Sequence, residues 1–232
     1  MRRTVLGILA ALVVMASSGC TITTEDPGFV APPPLPPLEQ LEKAALVDPA
    51  EYRAGQEVLS FITEDRNIVC SLTSAKGEHL NLPYELNNFT DSTNDKLATV
   101  PVAHCQLAAY PKPAAGNSQD DCAGTGLGYL GGTALLTPEK ATYGECRSGV
   151  TQMEAAYGPK GTKSGPLSEL AVLADGANLE RNGLRCSAYN HGVACGNVSA
   201  GVAFFVSRGH YEAFSGPAET AAPAVSEAPK TP

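Results

Sequence analysis

The sequence predicts a mainly β protein: one small, disulfide-stapled antiparallel domain, sandwich or barrel-like, with one or two short helices. Three observations lead there. Eighteen prolines, 23 glycines, no tryptophan and only 17% charged residues suit a chain of many turns and short segments. Six cysteines, Cys70, Cys105, Cys122, Cys146, Cys186 and Cys195, fall within one central stretch. Segments flanking turn residues alternate with the period of a strand, most clearly in "LRCSAYNHGVAC".

From the N-terminus, residues 1 to 19 have the build of an export signal: Arg2 and Arg3, an apolar run over residues 5 to 15, then Ala16, Ser17, Ser18 and Gly19. The run is well short of the roughly 20 residues that span a bilayer as a helix, so cleavage is expected. Ser17, Ser18, Gly19 and Cys20 resemble the lipobox of bacterial lipoproteins, with serine at Ser17 where that family prefers leucine. The resemblance implies that Cys20 is acylated and becomes the mature N-terminus. Acyl chains, at about 0.8 kcal/mol per buried methylene, would then anchor the protein to the outer face of the cell membrane. Left unmodified, Cys20 would be a lone thiol exposed to oxidation.

Residues 20–49 read as a tether. Pro27, Pro32, Pro33, Pro34, Pro36 and Pro37 favour extended polyproline II, a semi-rigid spacer of about 3.1 Å per residue. "LEQLEKAAL", 38–46, has the composition of one short helix ahead of the domain. The domain is expected over residues 50–214. The tail, 215–232, is Ala, Pro, Ser and Glu with nothing to bury, and is expected to be disordered.

Six cysteines in an exported domain read as three disulfides, for which sequence alone allows fifteen pairings. One pair follows from register. A hairpin centred between Asn190 and His191 sets Tyr189 opposite Gly192, Ala188 opposite Val193 and Cys186 opposite Cys195, with Gly192 free to take positive φ. Opposed Cα atoms lie about 4.5 to 5.5 Å apart, within disulfide range. For the other four, nearest-neighbour pairing, Cys70 with Cys105 and Cys122 with Cys146, is simplest. A second hairpin is expected around "TPEK", where Pro138 suits the second position of a type I turn. "GVAFFVS", 201–207, has the unbroken apolar centre of a strand buried on both sides, which assigns Phe204 and Phe205 to the core. Ser207 is placed to cap a short helical turn over "RGHYEAF", and "LSELAVLADG" has a composition that suits a helix.

Phe61 with "NIVC", then "HCQL", "GVACGN" and "FFVSRGHYEAF", together resemble an uncharacterised family of actinobacterial secreted proteins and lipoproteins, over residues 61 to 214. The resemblance implies the three pairings Cys70–Cys105, Cys122–Cys146 and Cys186–Cys195, implies a strand and turn at "LSELAVLADG" in place of a helix, and implies no activity. This chain has Glu64, Asp65 and Arg66 where that family usually has a serine-proline-glycine turn, and Val202 and Ala203 where histidine and glycine are frequent.

The formal net charge of −8 disfavours nucleic acid and anionic lipid surfaces as partners. "GLGYLG", 126–131, fits a dinucleotide fingerprint only by spelling, because no strand–turn–helix context surrounds it. Asp120 and Asp121, near Asn117, lack calcium-loop spacing. A zinc set could be drawn from Cys186, His191, Cys195, His104 and Cys105, but the hairpin explains Cys186 and Cys195 without a metal, and no cofactor is expected. His79, His104, His191 and His210 are scattered, and no nucleophile elbow is present. The function expected is therefore non-catalytic binding of an envelope protein, glycan or lipid. An extracytoplasmic hydrolase and a purely architectural envelope component are the alternatives. Arg208, His210 and Tyr211, the most varied polar cluster near a structured edge, are the candidate binding residues.

Overall fold

The computed structural model describes residues 35–55, 57–76, 98–113 and 122–215. The signal, Cys20, the tail beyond Ser215, His79 and the Asn117–Asp120–Asp121 loop lie outside the described residues. Within them, the chain is mainly β, as expected, and forms two six-stranded sheets. The first contains β1 (Ala45–Leu46), β8 (Ala177–Arg181), β9 (Leu184–Tyr189), β10 (Gly192–Asn197), β11 (Val202–Ser207) and β12 (Tyr211–Ser215), adjacent in that order. The second runs β6 (Ala141–Arg147), β5 (Gly128–Leu136), β4 (Thr99–Leu107), β3 (Ile68–Lys76), β2 (Leu59–Thr63) and β7 (Val172–Leu173). Pairing is antiparallel except at one edge of each sheet, where the two-residue strands β1 and β7 add in parallel.

Alternation along the strands sends one set of side chains from each sheet into a shared core. Phe61, Ile68, Cys70, Leu72, Cys105 and Leu136 come from the second sheet; Leu179, Cys186, Val193, Cys195, Phe204 and Val206 come from the first. This is a sandwich core: burying such side chains contributes about 1.5–3 kcal/mol each, and two inner faces share it. All three expected disulfides are formed. Cys70 and Cys105 are register partners on β3 and β4, and Cys186 and Cys195 on β9 and β10. The two bonds face each other across the sandwich, with the Cys105 and Cys195 sulfurs 3.9 Å apart and all four residues without solvent exposure.

The hairpin joining β9 and β10 has the expected register, closing through a two-residue turn in which Asn190 (φ 47°) and His191 (φ 57°) both take the left-handed conformation of a type I′ turn. Gly192 was expected to supply that positive φ; its role is different. A Cβ there would lie 2.6 Å from the Phe205 ring and from the Val206 carbonyl, so glycine lets Phe205 lie down on the β10 backbone. The hairpin around "TPEK" also forms, with Leu136 opposite Ala141. "GLGYLG" runs into β5, whose register shifts between Leu130 and Ala134; an antiparallel strand follows it, and no helix.

Two expectations are corrected. "RGHYEAF" is not a helical turn capped by Ser207: the Ser207 amide donates to the His210 carbonyl at 2.8 Å, the chain reverses at Arg208 and Gly209, and β12 pairs with β11. Tyr211 and Phe214, aromatic residues suited to a pleated surface, hold it there. The strand and turn expected in "LSELAVLADG" form as β7 and the turn at Asp175 and Gly176, preceded by a 3-10 helix, Pro166–Glu169. The expected domain start at residue 50 moves back as well. The helix α1 (Pro37–Lys43), expected as part of the tether, lies on the outer face of the first sheet and packs as part of the same unit. Leu41 is fully buried against Ala194 and Ala203, in room left by Gly196, where a Cβ would stand 2.7 Å from Leu41 Cδ1. Asn178 Nδ2 donates to the Leu41 carbonyl at 2.7 Å, and β1 then joins the sheet.

The outer face of the second sheet is covered in part by α2 (Gln152–Tyr157), whose Met153 packs on Ile62 and Val69. Thr151 and Glu154 form a capping box at its start. Further along that face, Ser60, Ser71 and His104 make a buried polar row on adjacent strands, with 2.5 Å between the two serine hydroxyl oxygens.

Candidate functional site

Among the described residues, the outer face of the first sheet is only half covered. Beyond the N-terminus of α1, the hairpin β11–β12 and the tip of β9–β10 frame an open groove of about 530 Å³ lined by Leu35, Pro36, Pro37, Tyr189, Asn190, Phe205, Ser207, His210, Glu212 and Phe214. Its construction follows from period two. Phe204 and Val206 point into the core, so Phe205 and Ser207 point out; Tyr211 points in, so His210, Glu212 and Phe214 point out. Phe205 is the half-buried floor, set edge-on to Tyr189 with ring centroids 6.1 Å apart and tilted against His210 at 6.2 Å. Phe205 is thus both packed and presented, where the sequence assigned it to the core alone. His210 Nε2 and Glu212 Oε2 meet at 3.4 Å on the rim, both side chains more than half exposed.

Of the three candidate binding residues, only His210 lines this groove. Arg208 stands exposed on the turn. Tyr211 turns the opposite way, stacks on Tyr143 with centroids 4.5 Å apart and reaches Phe204 in the core. Its hydroxyl is buried, and burial, followed by the nearby Tyr129 and Tyr143, pushes its pKa up. Tyr211 is a wall of the sandwich.

Through its stack on Tyr143, that wall adjoins a polar network at the β6 end. The Tyr143 hydroxyl donates to the Pro111 carbonyl at 2.6 Å and accepts from the Gly132 amide at 3.2 Å, and burial raises its pKa to about 12. Tyr110 donates to Glu154 Oε1 at 2.6 Å, and Arg147 pairs with Glu154 Oε2 at 2.9 Å. Burial alone would raise the Glu154 pKa, but the Thr151 amide, Tyr110 and Arg147 together bring it below the ordinary value. Together these contacts tie β5, β6, α2 and the segment after β4 to one another, which makes the network a brace. The neighbouring Glu145 is raised by burial, partly offset by Arg147.

No protein-family model matches this chain, and neither a curated protein nor a solved structure is found to be similar. The site must therefore be read from its own residues.

The residues considered for zinc do not converge. His104 lies on the opposite face of β4 from Cys105, and His191 stands at the hairpin tip, while Cys186 and Cys195 are bonded to each other. Cys70, Cys105 and Cys195 bring their sulfurs within 4.8 Å of one another, as members of disulfides. His104 itself is 2% exposed, and burial lowers its pKa to about 4, which keeps the imidazole neutral.

Sequence reading missed Tyr189, Asn190, Phe205, Glu212 and Phe214 as site residues. The signal was the alternation 205, 207 and 210, 212, 214 on one face. It becomes visible only once "RGHYEAF" is recognised as turn plus strand.

Proposed function

We propose that this chain is an exported, lipid-anchored protein of the bacterial cell envelope whose domain works by non-covalent binding at the groove over Phe205. The observation that carries the binding reading is the groove itself: a partly solvent-exposed aromatic floor with neutral and acidic polar groups at its rim, the usual composition of a recognition site. Two features support the address: the leader ending at Cys20, and three disulfides, which suit an oxidising compartment. The resemblance to actinobacterial secreted proteins and lipoproteins agrees with both.

Two measurements test this. Intact mass of the membrane-extracted protein under non-reducing conditions is expected to show acyl mass on Cys20 and no free thiol in the domain; a missing acyl mass rejects the anchor. A photo-crosslinking amino acid at Ser207 is expected to give a discrete adduct in intact envelopes, and one at Asp175, an exposed residue that does not line the groove, is not. Equal labelling from both positions, or none, rejects the groove as the working surface.

The second reading, a hydrolase, draws on Ser207, His210 and Glu212 sharing the groove. Histidine and carboxylate meet, but among the described residues no hydrogen bond joins the Ser207 hydroxyl to His210, the link an activated nucleophile requires. Ester hydrolysis abolished by Ser207→Ala would restore this reading.

A further inference from the structure

The groove, read as a binding site, also carries information about the charge of its occupant. Its lining includes one carboxylate, Glu212, and neither lysine nor arginine, on a chain whose formal net charge is −8. Glu212 lies at the rim, 53% exposed, and its contact with His210 engages one oxygen, leaving acceptor capacity on the carboxylate. Below the rim the surface is Phe205, Phe214 and the Pro36–Pro37 wall. An apolar trough that ends at an acidic rim complements a ligand with an apolar stem and a cationic head.

We propose that the groove takes the basic side chain of a partner protein segment, with its methylene stem along Phe205 and Phe214 and its charged head at Glu212. Lysine and arginine have this build: the stem covers apolar surface while the head stays in water. The solvent-exposed position of Glu212 favours such a head over a quaternary ammonium, which is best held by rings closing around it after desolvation. Charge complementarity of this kind sets partner choice and encounter rate more than raw affinity, so weak, salt-sensitive binding is expected.

The experiment titrates the full chain, with its disulfides intact and isotopically labelled, with the blocked tripeptide Ala-Lys-Ala and with its neutral isostere Ala-norleucine-Ala, following amide shifts. Shifts centred on residues 205, 207, 210 and 212 are expected, with the lysine peptide binding about two- to fivefold tighter than norleucine at low salt, the range of an exposed ion pair. In Glu212→Gln the two peptides are expected to bind alike, and Glu212→Lys is expected to abolish the lysine peptide's shifts. Asp175→Asn, another exposed carboxylate outside the groove, is expected to keep the preference. The proposal is overturned if norleucine binds as well as lysine in the unaltered protein, if the preference survives Glu212→Gln, or if choline binds more tightly than the lysine peptide. It is also overturned if neither peptide moves the groove residues. In each case an adduct from Ser207 in envelopes would leave the binding reading standing, whereas the absence of that adduct would remove it as well.

Discussion

Lowering the pH from 7 to 5 should weaken this fold through one residue, His104. Between Ser71 on β3 and Leu135 on β5, it is 2% exposed. Burial holds its pKa at about 4, against 6.5 for a free imidazole. The folded state therefore binds the proton less readily than the unfolded state. Above pH 6.5 both states are neutral and the residue's contribution is intact. As pH falls from 6.5 towards 4 the unfolded chain gains a proton that the folded chain refuses, and stability declines; below 4 the loss levels off. Linkage gives a loss of about 2 kcal/mol between pH 7 and pH 5, and about 3 kcal/mol in full. Carboxylates titrate in the same range, so the quantity to measure is a difference. Urea unfolding of the natural protein and of His104→Gln at both pH values should show the natural protein losing about 2 kcal/mol more. Parallel pH dependence in the two proteins, or an imidazole resonance of His104 that titrates near 6.5 in the folded state, would refute the reasoning.

Other outcomes follow from the same contacts. Cys122–Cys146 is partly exposed while the other two disulfides are buried, so a mild thiol followed by alkylation and mass mapping should label Cys122 and Cys146 first; early labelling of Cys186 or Cys105 contradicts this. Gly196→Ala places a methyl group 2.7 Å from Leu41 Cδ1 and 2.9 Å from the Ala203 Cβ, and should cost about 1–3 kcal/mol while speeding hydrogen exchange in α1 and leaving α2 protected. Tyr143→Phe leaves the Pro111 carbonyl and the Gly132 amide without their partner and should cost about 1–3 kcal/mol in denaturant unfolding.

Much of the architecture was legible because its signals are local. The turn at Asn190 and His191 fixes the register of β9 against β10, and with it the position of one disulfide. "TPEK" sets the register of β5 against β6 for the pairs nearest the turn, up to the shift between Leu130 and Ala134. What was not legible depends on contacts distant in sequence. Leu41 is buried because Ala194, Gly196 and Ala203 leave a shallow seat for it more than 150 residues later, and nothing in "LEQLEKAAL" reveals that seat. The groove depends on the same long-range placement: Pro36 and Pro37 become a wall only because α1 docks. Thr151 and Glu154, by contrast, spell the start of α2 in the sequence itself, in a capping box that was open to reading.

The close approach of Cys105 and Cys195 makes the two central links share a fate. Replace Cys70, and Cys105 is left as a thiol beside an intact bond. As thiolate it attacks the Cys195 sulfur, forming Cys105–Cys195 and expelling Cys186 as the new thiolate. A lesion in one sheet thereby migrates into the other.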